Sequence, residues 1–276
     1  MTQTCLPNLI TIGAMKCGTS SLHEYLNRHP DIHMSVEKEI NYFVGHNSDR
    51  SLDWYKAHFD GTKAVRGESS QNYSKAHLEI YRDAPKRIHA LVPDLRMIYL
   101  VRDPIERYRS HIAENYIGET DEMKALSQVS DNYVQTGLYH YQLQAFLQYF
   151  PLEQILVVDS DGLQTDRLTT MNRIFKFLGV DQVNDPEIFD FQANLNGEDV
   201  LPPRVRGSLA YRAAHRIAPG PVQWLGKHPV IRKAFFSGSY KATLEQEERD
   251  RLAERFAPDV AALRRLTGQT FDGWQI

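Results

Sequence analysis

Cysteine is scarce in this chain of 276 residues: only Cys5 and Cys17 occur, twelve positions apart and with no second pair. They form neither a disulfide framework nor a metal-binding spacing, and they suit a reducing compartment. Long apolar runs are missing too. No stretch reaches the roughly 18 residues that would cross a bilayer, and the N-terminal segment lacks the charged region and apolar core of a secretory leader. An excess of one charge is also absent, since 32 Lys and Arg stand against 35 Asp and Glu for a formal net charge of −3. An overall basic surface for coating nucleic acid is thereby excluded, and any anion site must be a local one. No internal repeat or low-complexity segment occurs. These absences lead to the expectation of a cytoplasmic, soluble protein with no membrane span and no nucleic-acid partner. With 42% hydrophobic residues, one domain over residues 1–276 can bury a sizeable core.

What is present alternates between two periods. Leu9 to Ile12 is short, apolar and β-branched, and runs into Gly13-Ala-Met-Lys-Cys-Gly-Thr-Ser-Ser21. Leu22, Tyr25 and Leu26 then recur at helical spacing as far as Pro30, so the pattern predicts strand, glycine loop, helix. Asp31 to Met34 predicts a short extended piece, and VEKEINYF from Val36 to Phe43 a loop at the mouth of a sheet. Further strands are predicted at 63–67, at Met97 to Val101 and at Ile155 to Asp159. Helices are predicted at 84–91, at 105–116 with Asp103 as cap and Pro104 at its first position, at 137–150, and at 168–178 ended by Gly179. From 181 to about 240 prolines and arginines are scattered through a loop-rich stretch, and a last helix over 244–266 is expected to break at Pro258. Strands alternating with helices predict a three-layer, P-loop-like α/β domain with a central, mainly parallel sheet.

The glycine loop is the chemical signal. A loop between a strand and a helix N-terminus aims several N–H groups and the positive helix end at one anion. The spacing Gly13 to Gly18 matches a nucleoside-triphosphate loop, but that motif requires Lys directly after the second glycine. Here Thr19 follows Gly18 and the lysine lies forward at Lys16, so magnesium-centred triphosphate geometry is not encoded.

Four separated blocks, IGAMKCGTSSLHEYLNRHPDI, VEKEINYF, IYLVRDPIERYRSHI and GLYHYQLQAFLQYFPLEQILVVDSDGL, together with FDGW near the end, resemble the sulfotransferases that use 3′-phosphoadenosine 5′-phosphosulfate (PAPS). Within that family the heparan-sulfate-modifying type and its bacterial relatives are the most similar. The resemblance implies PAPS as sulfuryl donor without a metal, and a carbohydrate or other small-molecule acceptor bearing a hydroxyl or amine. It implies that Lys16, Cys17, Gly18, Thr19, Ser20 and Ser21 hold the 5′-phosphosulfate, with Lys16 on the bridging oxygen, where a fixed ammonium favours the departing phosphate. Arg102 and Ser110 correspond to the family's 3′-phosphate contacts, and Arg204 and Arg206 to a basic loop late in the chain. Glu39, aligned through Tyr42 and Phe43, corresponds to the carboxylate that takes the acceptor's proton. Arg107 and Arg109 are expected in solvent or in salt bridges, and Tyr139 over the nucleotide. Ser69 stands where the heparan type often has a lysine after the glutamate matching Glu68, which leaves Glu68 to bind the acceptor, to order the site, or to be buried beside a cation. Two other readings remain open: a P-loop small-molecule kinase, for which Asp159 would be the metal ligand, and a nucleotide-binding protein without turnover.

Overall fold

In the computed structural model, which describes residues 5–118, 131–189 and 243–276, five strands carry the architecture. They are β1 (Leu9–Gly13), β2 (Ile32–Met34), β3 (Val65–Ser69), β4 (Arg96–Val101) and β5 (Ile155–Asp159). All pair in parallel, in the spatial order β2-β3-β1-β4-β5. β1 is buried along its whole length and β4 everywhere but its first residue, as expected of central strands covered on both faces. The described helices are α1 (Thr19–Leu26), α2 (Leu52–Lys56), α3 (Glu79–Arg82), α4 (Ala84–Leu91), α5 (Pro104–Gly118), α6 (Asn132–Gln135), α7 (Tyr139–Leu147), α8 (Ser160–Thr165), α9 (Arg167–Leu178) and α10 (Gln246–Thr267).

The strand order dictates the layers. From β1 the chain moves to the β2 edge, and every later crossover runs back in the opposite sense. Right-handed connections therefore put α1 on one face and the helices of the later crossovers on the other. α9 returns to the face of α1, where His29 packs on Phe175 with ring centres 4.7 Å apart and Tyr25 meets Phe189 edge-on at 5.8 Å. On the other face, α10 packs against α7 and α5. The chain reverses its direction of travel beside β1, and such a switch point opens a crevice at the carboxyl ends of the strands.

Three expectations shift. The strand predicted at 63–67 runs from Val65 to Ser69, because the Lys63 N–H closes a turn onto Asp60 O and parallel pairing sets Val65 against Ile32 and Gly67 against Leu9. The helix predicted from Gly137 begins at Tyr139, where the Asp259 carboxylate accepts the N–H groups of His140 and Tyr141, both at 2.9 Å. Pro258 does not break α10, which continues through it to Thr267. Leu252, Phe256, Val260 and Leu263 are buried on either side of it, and four such side chains outweigh the roughly 3 kcal/mol that an internal proline costs. Among the described residues no helix is long and apolar enough to cross a membrane.

Candidate active site

The loop from Gly13 to Gly18 leaves β1 at the switch point. Ala14 N–H donates to Leu100 O at 2.7 Å, which ties the loop to β4, and Cys17 N–H donates to Ala14 O at 3.2 Å. Lys16 and Gly18 lie in the left-handed region with φ of 67° and 91°, whereas Cys17 between them does not. Alternating backbone handedness turns successive N–H groups toward one side and makes an anion-binding concavity. Gly18 then becomes the N-cap of α1, with no side chain occupying the cap. Thr19 is buried, while Ser20, Ser21 and Lys16 are half-buried. The first-turn amides of α1 thus face the same end of the sheet as the loop. At Gly13, φ is 141° and a Cβ would stand 2.1 Å from Ser74 Oγ, so only glycine fits there.

Cys17 contributes its backbone to this loop, and its Sγ also reaches Met15 O at 3.9 Å. Its side chain is buried, with Sγ 3.5 Å from the Tyr139 hydroxyl, which donates to Arg102 O at 2.8 Å. Burial pushes the thiol up to about 11, although the Tyr139 bond pulls the other way, so at neutral pH it is a protonated packing group and not a nucleophile. Tyr139, expected over a nucleotide, is instead fully buried as the strut between this loop and the end of β4.

Arg102 follows β4, the immediate neighbour of β1, and its half-buried guanidinium has no ion-pair partner among the described residues. Asp103 then caps α5, accepting Ile105 N–H at 2.8 Å and Glu106 N–H at 3.3 Å. Ser110 lies half-buried two turns along α5. Arg109 pairs with Glu106 as expected. Arg107 does not meet its expectation of solvent or a salt bridge. It is wholly buried, and its guanidinium donates to Tyr133 O and to His111 Nδ1. Burial lowers its pKa, and burial with the nearby charges of Arg107, Lys75 and Lys16 holds His111 neutral. Arg204 and Arg206 lie outside the described residues.

Glu39 stands in the Val36–Phe43 loop that follows β2 and lies against the carboxyl end of β3. Its N–H donates to Ser69 O at 2.9 Å, Gln71 N–H donates to its Oε2 at 3.0 Å, and Lys38 Nζ pairs with its Oε1. Because β3 adjoins β1, Glu39 and the Lys16 loop occupy the same carboxyl end of adjacent strands. Tyr42 and Phe43 serve the core: Tyr42 stacks on Tyr55 at 4.1 Å, and Phe43 is buried between Tyr55 and Tyr73. Glu68 is fully buried with no cation beside it among the described residues. Its carboxylate accepts from the hydroxyls of Tyr55, Tyr73 and Ser70.

Two contributors escaped the sequence reading. His23, on α1, is buried with Nε2 donating to Ser35 O at 3.0 Å, so that Nδ1 accepts from Ser69 Oγ at 2.9 Å. This clips the cradle helix to β3. Arg107 is the other, and its only signal was His111 one helical turn later. Asp159, the metal ligand that a kinase would need, has its two oxygens engaged by Asp161 N–H and by the Trp274 indole N–H at 3.1 Å. His77 and His140 likewise bond to Asn132, Gln142 and Gln144.

Residues 6–193 match the family described as the sulfotransferase domain. The chain is 29% identical to the human heparan sulfate glucosamine 3-O-sulfotransferase 6, across 97% of this chain and 73% of that protein. It is also 29% identical to the bovine bifunctional heparan sulfate N-deacetylase/N-sulfotransferase 2, across 64% of this chain but only 23% of the larger protein. A sulfotransferase from Alicyclobacillus acidocaldarius superposes with a TM-score of 0.66 at 23% identity, covering 99% of this chain and all of that one, and so shares the fold.

Proposed function

Because the chain belongs to the sulfotransferase family, to which its match over residues 6–193 assigns it, we propose that it transfers a sulfuryl group from PAPS to a hydroxyl or amine of a carbohydrate acceptor. The observation that carries this reading is the pairing of a lysine-bearing anion cradle after β1 with the Glu39 carboxylate, whose loop is tied to the end of β3, at one end of the sheet. The residues present fit the donor. The loop amides with Lys16, Thr19, Ser20 and Ser21 suit a 5′-phosphosulfate, and Arg102 and Ser110 on the other neighbouring strand and its helix suit a 3′-phosphate. When bound, PAPS supplies the sulfuryl group and a phosphate leaving group.

The chain's own residues do the rest. Lys16 places a positive charge where the phosphate oxygen gains negative charge, which favours the transition state over the ground state. Glu39 accepts the acceptor's proton as the new S–O or S–N bond forms, so that the sulfated product, the 3′,5′-bisphosphate and one proton on Glu39 balance the transfer. A carbohydrate acceptor is favoured by the heparan sulfate enzymes among the relatives.

Calorimetry without added metal tests the donor site. 3′-Phosphoadenosine 5′-phosphate should bind far more tightly than ATP, and Lys16→Ala and Arg102→Ala should each weaken it at least tenfold. Preference for magnesium-ATP, or indifference to both substitutions, would overturn the reading. Transfer of radiolabelled sulfate from PAPS to desulfated heparan sulfate tests the acceptor class, and loss of that transfer in Glu39→Gln with nucleotide binding intact tests the base.

A further inference from the structure

The Glu39 loop is held in an unfavourable backbone state, and the groups that hold it converge on one buried carboxylate. Glu39 and Asn41 have φ of 61° and 52°, in the left-handed region that non-glycine residues avoid. Such outliers persist only where their surroundings over-determine them. Here Glu39 N–H is fixed to Ser69 O, Asn41 Nδ2 donates to Glu39 O at 2.9 Å, Asn72 Nδ2 donates to Asn41 Oδ1 at 3.3 Å, and Asn41 N–H donates to Ser70 Oγ at 3.0 Å.

Ser70 has a single hydroxyl proton, which it gives to Glu68 Oε2 at 2.6 Å. Burial raises the Glu68 pKa and the three hydroxyl donors oppose that rise; in its ionised form the carboxylate can only accept, so it draws that proton inward and leaves a Ser70 lone pair facing Asn41 N–H. The other oxygen of Glu68 takes the hydroxyls of Tyr55 at 2.6 Å and Tyr73 at 3.0 Å. Those two rings grip the far side of the loop: Tyr55 stacks on Tyr42, and both pack edge-on against Phe43. Both ends of the segment Glu39–Phe43 are therefore referred to the same buried group.

We infer that Glu68 is a positioning residue for sulfuryl transfer, which through Ser70 and Asn41 on one side and Tyr55 on the other fixes the strained loop so that the Glu39 carboxylate stands at the mouth of the anion cradle. It touches neither donor nor acceptor. The inference rests on the reading of Glu39 as the base.

Four variants and three readouts separate the possibilities. Ser70→Ala removes the relay with little change of volume, Glu68→Gln lets an amide compete as donor to Ser70, and Ser70→Thr keeps the hydroxyl. With PAPS and desulfated heparan sulfate as probes, Ser70→Ala and Glu68→Gln are expected to lower kcat at least tenfold while the Kd for 3′-phosphoadenosine 5′-phosphate stays within twofold, and Ser70→Thr is expected to recover most of the rate. Amide hydrogen exchange, which requires no acceptor, should show Asn41 and Gln71 losing protection in Ser70→Ala while the strands keep theirs. If Glu39→Gln keeps wild-type transfer, the base reading fails, whereas the exchange result still tests the brace. If Glu39→Gln is inactive but Ser70→Ala and Glu68→Gln keep kcat within twofold, or Asn41 stays protected in Ser70→Ala, the positioning role of Glu68 is refuted.

Discussion

Lowering the pH should loosen the clip between the cradle helix and β3, because that clip is a neutral histidine. His23 is buried between Ser69 Oγ and Ser35 O, and desolvation is the main cause that lowers its pKa from 6.5 to about 4, with Lys38 and His33 adding to it and the Ser35 bond opposing it. The unfolded chain protonates this imidazole near 6.5, whereas the folded chain resists until about 4. Between those values the unfolded state binds more protons, so stability is fully present above about 6.5 and declines as the pH falls toward 4. At about 1.4 kcal/mol for each pH unit, the interval is worth about 3 kcal/mol. His23→Gln retains an amide donor for Ser35 O and removes the titration. Urea unfolding of both proteins at half-unit steps from pH 7.5 to 4.5 should give a wild-type advantage at pH 7 that shrinks steadily below 6.5 and falls by about 2 to 3 kcal/mol near pH 4.5. Carboxylates common to both proteins cancel in the difference. A difference that stays constant across this range would refute the assignment of a buried, neutral His23.

Gly13→Ala should destabilise the fold by about 1–3 kcal/mol in urea unfolding, since the added Cβ meets Ser74 Oγ at 2.1 Å on a backbone at φ 141°, and Ser74→Gly in the same chain should recover part of the loss. Trp274→Phe keeps the stack on Phe271 but removes the indole donor from Asp159, and should cost about 1–2 kcal/mol; an unchanged midpoint would show that this bond is replaced by water. Arg107→Met fills a similar volume but removes the guanidinium that donates to Tyr133 O and His111 Nδ1, and should lower stability by about 2–4 kcal/mol, read as a fall in thermal midpoint of several degrees.

The parts that were legible in the sequence are those whose cause is local. Strand-loop-helix at Leu9–Leu26 and strand-cap-helix at Arg96–Gly118 follow from apolar runs, two glycines, an Asp cap and a proline at the first helical position, and each lies where those residues direct. The illegible parts depend on distant partners. Nothing near Arg107 announces that Tyr133, 26 positions later, will supply the carbonyl that allows a guanidinium to be buried with no counter-ion among the described residues. Glu68 likewise shows no sign, in its own neighbourhood, of a tyrosine 13 positions earlier that donates to it. Pro258 reads as a helix breaker because its local cost is visible, while the core that offsets the cost is assembled from other segments.

The distribution of backbone strain joins these observations. Among the described residues, the non-glycine positions with positive φ are Lys16, Glu39, Asn41, Asp131 and Phe271. Three of them lie in the two loops that carry the proposed acid-base and phosphate-facing groups. Each left-handed residue costs about 1–2 kcal/mol, so these three together cost a sizeable share of the stability that a domain usually retains. Both loops are anchored to strand ends by main-chain bonds, Ala14 N–H to Leu100 O and Glu39 N–H to Ser69 O. The strain is therefore met once, when the sheet forms, and not again when a donor arrives. Groups fixed in this way need little reorganisation as charge develops, which is where a cradle with a forward lysine gains over a flexible one of the same composition. Relaxing either loop should consequently reduce turnover more than nucleotide affinity.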